Sequence, residues 1–341
     1  MHSTSELKMV TAPQPVWVED IKPVPTKQRA PQGIVDISIS EEQTVRLVGV
    51  VYGLEHDISG EGYQARLMLD HYNQRVKILS YEGDDIEGLV QHVKQLAEAN
   101  SFDKIIVMAP RKDWQRFLRF GYVLEAVLSY YLQGEDAFVM SKFGSQERLT
   151  SVPLMEETQL IERVMENDVS APIQPLPAGH SVRLARKSDV PALLALYARI
   201  FESYPSPLVY EGYLESVFQK ETLFAVCAHG DRIVAAASAE LAMPHRAAEL
   251  TDCATTPEAR GKGLMSHILT YLEEELVRRR YLCAYTMARA RSFGMNNVFH
   301  RLGYEFSGRL VNNCDIYGAF EDMNIWVKRL ELPPEIAKPS S

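Results

Sequence analysis

Alternation of apolar and polar residues begins at about Ile34. GIVDISI and TVRLVGVVYG each place every second residue on one face, and QARLMLD and QRVKILSY repeat the pattern around a polar turn at Tyr72-Asn73. Period-two patterning of this kind predicts antiparallel strands. The next stretch, DIEGLVQHVKQLAEAN, has helical spacing and leads into KIIVMAP, a short apolar run of the type found in buried strands. WQRFLRFGY and AFVMSKF add a helical piece and a further strand. The segment from Asn167 to His180, NDVSAPIQPLPAGH, carries three prolines and few large apolar residues, which is the composition of a linker.

A second run of elements follows. SVRLARKSDVPALLALYARIF reads as a strand and a helix that Ser188 or Asp189 could cap, with Pro191 near its first turn. TLFAVCAHGDRIVAAASAEL folds back at His229-Gly230-Asp231-Arg232, and AAELTDCAT supplies another strand. Leu264, Ile268, Leu272 and Leu276 then recur every four residues, with Glu274 and Glu275 four residues before Arg278 and Arg279, the marks of a half-buried helix. LCAYTMARA, a short helix ending in FHRLGY, and two strands within RLVNNCDIYGAFEDMNIWVK close the pattern. This organisation predicts a Pro-rich tail over 1–33, a mixed α/β domain over 34–167, a linker over 168–180, a second domain over 181–331 and a short flexible C-terminus over 332–341.

The two runs echo one another. Phe117, Gly121-Tyr122, Gly134, Met140 and Lys142 parallel Phe299, Gly303-Tyr304, Gly318, Met323 and Lys328, and Asp85 to Pro110 stands where Gly263 to Ala290 stands later. A duplicated fold is the expectation. The copies differ at one turn: SYEGDDIEGL in the first is acidic where the second is basic.

Composition narrows the chemistry. The chain has 341 residues, room for roughly two cores. A net charge of −9 argues against a broad nucleic-acid surface and suits a small, cationic substrate. No apolar run approaches the length of a membrane span, and the N-terminus lacks a signal-peptide core, so a cytoplasmic protein is expected. Cys227, Cys253, Cys283 and Cys314 have neither paired spacing nor histidine partners, which predicts no disulfide framework and no metal.

The basic turn is the main chemical signal. In TDCATTPEARGKGLMSHIL a strand breaks at Pro257, passes through Arg260-Gly261-Lys262-Gly263 and enters the amphipathic helix at Leu264. A helix N-terminus offers unpaired N–H groups and partial positive charge, glycines let a phosphate approach, and Arg260 and Lys262 add full charges. The features describe a pyrophosphate cradle, although neither standard phosphate-loop spacing is present.

This stretch resembles the acetyl-CoA signature of the GNAT acetyltransferases, R/Q-x-x-G-x-G/A, with Met265 where the signature prefers a small residue. YPSP (Tyr204 to Pro207), AELTDCATTPEARGKGL, YTMARARSFGMN, GYEFSGRLVNN and EDMNIWVK together resemble the β-lysine N6-acetyltransferase family, as do GYQARLMLDHYNQRVKILSY and GEDAFVMSKF in the first domain. The resemblance covers nearly the whole chain after the tail. It implies an α/β GNAT acyltransferase fold in the C-terminal domain, preceded by a degenerate GNAT-like domain without the cofactor loop, and acetyl-CoA as co-substrate. It further implies transfer of acetyl to the side-chain amine of β-lysine, giving a compatible solute; the alternatives are transfer to another amine (a polyamine, lysine or a protein lysine) or a non-catalytic CoA-binding regulator. Charge and hydropathy argue for no nucleic-acid or membrane partner, and the protein is expected to be a monomer or homodimer. The cofactor would lie along Cys253, Ala254 and Thr255, on Arg260, Gly261, Lys262, Gly263 and Leu264, and near Ser292, where such enzymes often carry Asn. Arg289, Asn312, Asn313 and Tyr204 are implied substrate contacts. Phe299 stands where many members have a tyrosine acid, leaving Tyr285, Tyr304, water or an unprotonated thiolate for that role.

Any such transfer needs a base. An alkyl ammonium with pKa near 10.4 is neutral about once in several thousand molecules at pH 7, a cost of roughly 4 to 5 kcal/mol. Glu249 is the first candidate, with Asp252 and Glu240 as rivals, and the three together would also attract a cation. In a regular strand Glu249 and Thr251 share one face and Asp252 takes the other, so Glu249 and Asp252 could work together only if the strand bulges.

Overall fold

The computed structural model describes residues 32–169, 172–201, 204–218 and 221–333. Residues 1–31 and 334–341, where the sequence places loose termini, lie outside the described residues. The N-terminal half contains β1 (Gln32–Ser38), β2 (Thr44–Val50), β3 (Leu54–Gly60), β4 (Tyr63–Asp70), β5 (Arg75–Gly83), α1 (Ile86–Ala99), β6 (Lys104–Pro110), α2 (Trp114–Leu118), β7 (Val123–Leu132), β8 (Glu135–Phe143), α3 (Gln146–Leu149) and α4 (Leu154–Met165). The C-terminal half contains β9 (His180–Leu184), α5 (Val190–Ile200), α6 (Glu211–Val217), β10 (Thr222–His229), β11 (Arg232–Ala242), β12 (Ala247–Thr255), α7 (Leu264–Arg278), β13 (Cys283–Arg289), α8 (Phe293–Arg301), β14 (Glu305–Ile316) and β15 (Ala319–Arg329).

The alternating runs form strands and the four-residue periodicity forms α7. Leu264, Ile268, Leu272 and Leu276 are all buried, and each such side chain contributes about 1.5–3 kcal/mol on leaving water. Glu274 pairs with Arg278 at 3.4 Å on the outer face. Elements without a clean period escape the sequence reading: β3 buries only Ile58, β7 is interrupted by register shifts, and α4 and α6 sit in polar stretches.

Strands β3 to β15 form one 13-stranded sheet in the order 3-4-5-6-8-7-14-15-13-12-11-10-9, while β1 and β2 form a separate ribbon. The order 3-4-5-6-8-7 repeats 10-11-12-13-15-14, so the sheet is two like sheets joined edge to edge. Each has one parallel pair with a crossover helix, β5 and β6 through α1, and β12 and β13 through α7. The repetition extends to irregularities: β5 carries an extra residue opposite Arg66/Leu67, and β12 carries one opposite Ala236/Ser238.

The joint between the sheets is short but heavily braced. β7 meets β14 at Ala126 and Gly308, where a Cβ on Gly308 would lie 2.2 Å from the Glu125 carbonyl oxygen, so only glycine fits. Next to it the bulged segment Val311–Asn313 of β14 presses its backbone into the N-terminal half. Buried Lys104 donates to the Val311 carbonyl at 2.7 Å, Arg75 donates to the Asn313 carbonyl at 2.9 Å, and the Asp315 N–H donates to the Asn73 side chain at 2.9 Å. Asn312, at φ 46°, donates its amide to the carbonyls of Glu147, Arg148 and Thr150 at 3.0–3.2 Å. An apolar cluster of Ile106, Leu128 and Tyr131 with Tyr285, Leu310 and Ile325 fills the space between the halves. The Asn312→Ala variant leaves three carbonyls without this donor, which predicts a loss of about 2–4 kcal/mol in chemical denaturation.

Candidate active site

β12 alternates as far as Thr251. Ala248 and Leu250 are buried beneath α7, and Glu249 and Thr251 face the inner side of the sheet. At Asp252 the backbone turns to φ 54°, a conformation that costs most residues about 1–2 kcal/mol and that Asp tolerates better than most. The extra residue changes the parity. Cys253 takes the α7 side, Ala254 returns to the core under α5, and Asp252 joins the inner face. The regular strand, with Asp252 opposite Glu249, is therefore replaced by a bulge that gathers both acids.

Their neighbours complete the group. Glu240 is the direct cross-strand partner of Glu249. Ser238 donates to Asp252 at 2.5 Å, and the half-buried Tyr204, tilted against Phe201 at 4.3 Å, reaches Asp252 and Thr251 with its hydroxyl. On the other side Glu249 pairs in register with Tyr285, whose ring meets Tyr131 of the N-terminal half edge-on at 5.6 Å. The acids thus lie between two coverings of the inner face: α5 and α6 at one end, the N-terminal half at the other. Glu240 keeps solvent exposure although protein groups surround it.

Burial and like charge both favour the protonated forms here. Glu249 is held above the usual carboxylate range by burial and then by Glu240, against an opposing pull from Lys77 and the Tyr285 hydroxyl. Asp252 is raised by burial and then by Glu240, and the hydrogen bonds from Ser238 and Tyr204 oppose that rise. Glu240 shifts the same way through its surroundings, against an opposing pull from Lys77. Three carboxyls so arranged share protons rather than titrate independently.

The cofactor side lies next to this group. β12 and β13 pair only at Ala247, Ala248 and Glu249; beyond that β12 keeps β11 as partner and parts from β13. The backbone of Cys253, Ala254 and Thr255 thus borders an opening in the sheet. The opening leads to the basic turn, where Gly261 and Gly263 have φ 74° and 71° and α7 starts without a side-chain cap. Nothing lies within 4 Å of a Cβ built on either glycine, and Arg260 and Lys262 are exposed. Free helix donors, open space and two cations fit a pyrophosphate. Leu264 anchors the first turn in the core, and Ser292 caps α8, accepting from the Met295 N–H at 3.5 Å.

The N-terminal half has the same parted pair but not the same turn. There Asp85 caps α1 by accepting from Gly88 N–H at 2.9 Å, and Asp84 precedes it, so carboxylates occupy the place of a phosphate. Among the described residues no group of three or more His, Cys, Asp or Glu side chains is arranged to hold a metal ion, and no helix is long and apolar enough to cross a membrane.

Other expected contacts sit differently. Arg289 is engaged by Glu321 through two bonds of 2.7 and 2.6 Å. Asn312 is a brace between the halves. Asn313 is buried against Cys314 and Met287, with its side-chain oxygen unpartnered. Burial, reinforced by Asp252, pushes the Cys253 thiol up, which suits a buried small residue rather than a nucleophile. Tyr304 lies beside Glu273 and under Lys328, on the far side of the sheet, while Phe299 is core. Ser238, Tyr131 and Lys77 carry no local motif, and sequence reasoning passes over them.

A parted parallel strand pair followed by an uncapped, glycine-rich basic turn fits the fold of a GNAT acetyltransferase. Residues 190–304 match the family model described as "Acetyltransferase (GNAT) family". The chain is similar to "N-acetyltransferase YodP" of Bacillus subtilis, 34% identical over 80% of this chain and 98% of the relative. It is also similar to "Beta-lysine N(6)-acetyltransferase" of Methanosarcina mazei, 34% identical over 72% of this chain and 97% of the relative, and to that of Methanococcus maripaludis, 30% identical over 78% and 96%. The chain belongs to the β-lysine N6-acetyltransferase family and is an acetyl-CoA-dependent N-acetyltransferase. Alignments of 264 to 279 residues exceed the C-terminal half, so the relatives share sequence in the N-terminal half as well. Calorimetric titration with CoA is predicted to give one site per chain, weakened about three- to tenfold by Lys262→Ala, and more at low salt than at high salt.

Proposed function

We propose that the protein transfers acetyl from acetyl-CoA to the side-chain amine of β-lysine, with Glu249 as the base. The observation that carries this reading is the bulge at Asp252, which sets three acids on one face beside the point where β12 and β13 part. Acetyl-CoA would supply the acetyl group as an activated thioester, whose C–S bond breaks as the amide C–N bond forms, releasing CoA as a thiol or thiolate.

The chain's own residues have three tasks. The acids attract and hold the ammonium. Glu249, between Glu240 and Tyr285, then takes the proton, and its raised proton affinity narrows the gap to the amine. Asp252, held by Ser238 and Tyr204, keeps the bulge in place and maintains the negative field. The backbone of Cys253 and Ala254, free on the side toward β13, lies where a thioester carbonyl can be polarised. The high proton affinity of Cys253 supports direct attack rather than transfer through the thiol. With no tyrosine at Phe299 and Tyr304 turned away, the thiolate leaves unprotonated or takes a proton from water, which a thiol pKa near 8.5 allows.

In this reading the N-terminal half is a degenerate copy of the same fold that closes the amine cleft. The product would be a zwitterion without net charge, the chemistry of a compatible solute, and the protein would act in the cytoplasm as a monomer or homodimer.

Thiol release with β-lysine, α-lysine, spermidine and a lysine peptide side by side tests the substrate; equal or better turnover of the peptide or spermidine overturns the β-lysine assignment. For the mechanism, Glu249→Gln should lower kcat by about 10²–10⁴ while CoA affinity holds. Because the carboxyls are raised, wild-type kcat/KM should rise with pH above the ordinary carboxylate range, as the base loses its proton. That limb should flatten in Glu249→Gln; an unchanged profile would remove Glu249 from the role.

A further inference from the structure

β5 carries two cations on the face turned toward the C-terminal half. Val76 and Ile78 pack with α1 on the outer side, so Arg75 and Lys77 point inward. Arg75 is fully engaged: it pairs with buried Asp70 at 2.8 Å and donates to the Asn313 carbonyl at 2.9 Å. Asp70 also accepts from Asn73, and the charges of Arg75 and Lys77 both favour its ionised form.

Lys77, one step further along the strand, is half-buried, and among the described residues it makes no hydrogen bond and no ion pair within 4 Å. Its cross-strand neighbours are Met68 and Ile106. Ile106 belongs to the apolar cluster that contains Tyr131 and Tyr285, and Tyr285 is the in-register neighbour of Glu249. Lys77 lies on the face that meets this cluster, and its charge acts on Glu240 and Glu249, as well as on Asp70, without an ion pair to any of them within 4 Å. A half-buried lysine flanked in register by Met68 and Ile106, without an ion pair and acting from a distance on Glu240 and Glu249, suits one end of a dipolar ligand whose other end is held by the acids. Arg289, the cation that the family resemblance put forward, is already neutralised by Glu321.

We propose that Lys77 receives the carboxylate of the amine substrate, so that the site selects a zwitterionic amino acid with its reacting amine at the Glu249 end and its carboxylate at the Lys77 end. The N-terminal half then determines specificity through a residue of its own. This inference rests on the acetyltransferase reading and adds the feature of the substrate that the chain reads.

The test compares β-lysine with its carboxamide, which keeps both amines and loses the negative charge. Wild type should prefer β-lysine by about 10- to 100-fold in kcat/KM, the range expected for one charge-assisted contact. In Lys77→Met that preference should collapse toward one through KM for β-lysine, and Lys77→Arg should restore most of it. Lys77→Gln carries the same comparison if Lys77→Met melts early. A preference that survives both neutral variants overturns the proposal. Wild type that uses the carboxamide as well as β-lysine also overturns it, while leaving the acetyltransferase reading intact. Wild type inactive with every carboxylate-bearing amine overturns both.

Discussion

The site depends on one backbone irregularity, the bulge at Asp252. β12 must contribute apolar side chains to the core under α7, an acid surface to the inner face of the sheet, and an edge free of β13 beside the basic turn. A regular strand cannot do all three, because its two-residue period would send Asp252 into the core. The extra residue resolves the conflict by turning Asp252 toward Glu249 and Glu240 while Cys253 fills the core position. It also falls just past Glu249, where the pairing with β13 stops. The acids and the opening in the sheet are thus two consequences of the same local geometry.

The repeated sheet shows which parts of that geometry are scaffold and which are chemistry. β5 keeps the extra residue and the parting from β6, so both halves have the opening. What differs is the turn: Arg260-Gly261-Lys262-Gly263 in one half, Gly83-Asp84-Asp85 in the other. A carboxylate cap on α1 uses the helix donors that a phosphate would need. The N-terminal half meets the acid group's neighbour Tyr285 through Tyr131, and it is held there by backbone contacts from Val311–Asn313 rather than by a long strand pairing.

Sequence legibility followed locality. The helix α7 and its turn could be read because periodicity, glycine placement and charge all lie within thirty residues. The strands with clean alternation were equally readable, while β3, β7, α4 and α6 were not, since their burial is set by distant partners. Glu240, Glu249 and Asp252 could be picked out as a group, but the face of Asp252 could not be, because a single positive φ decides it. Lys77 and Tyr131 approach from the other half, more than a hundred residues away in the chain. Resemblance pointed to Arg289 and Asn312, and the structure engages the first with Glu321 and the second with three backbone carbonyls.

A crystal structure with CoA and β-lysine bound together tests the central claim most directly. The account predicts the pyrophosphate on the Arg260–Leu264 turn, the pantetheine arm along Cys253 to Thr255 where β12 and β13 part, and the reacting amine of β-lysine within hydrogen-bonding distance of Glu249. An amine bound away from Glu240, Glu249 and Asp252, or CoA seated against α1, would contradict it.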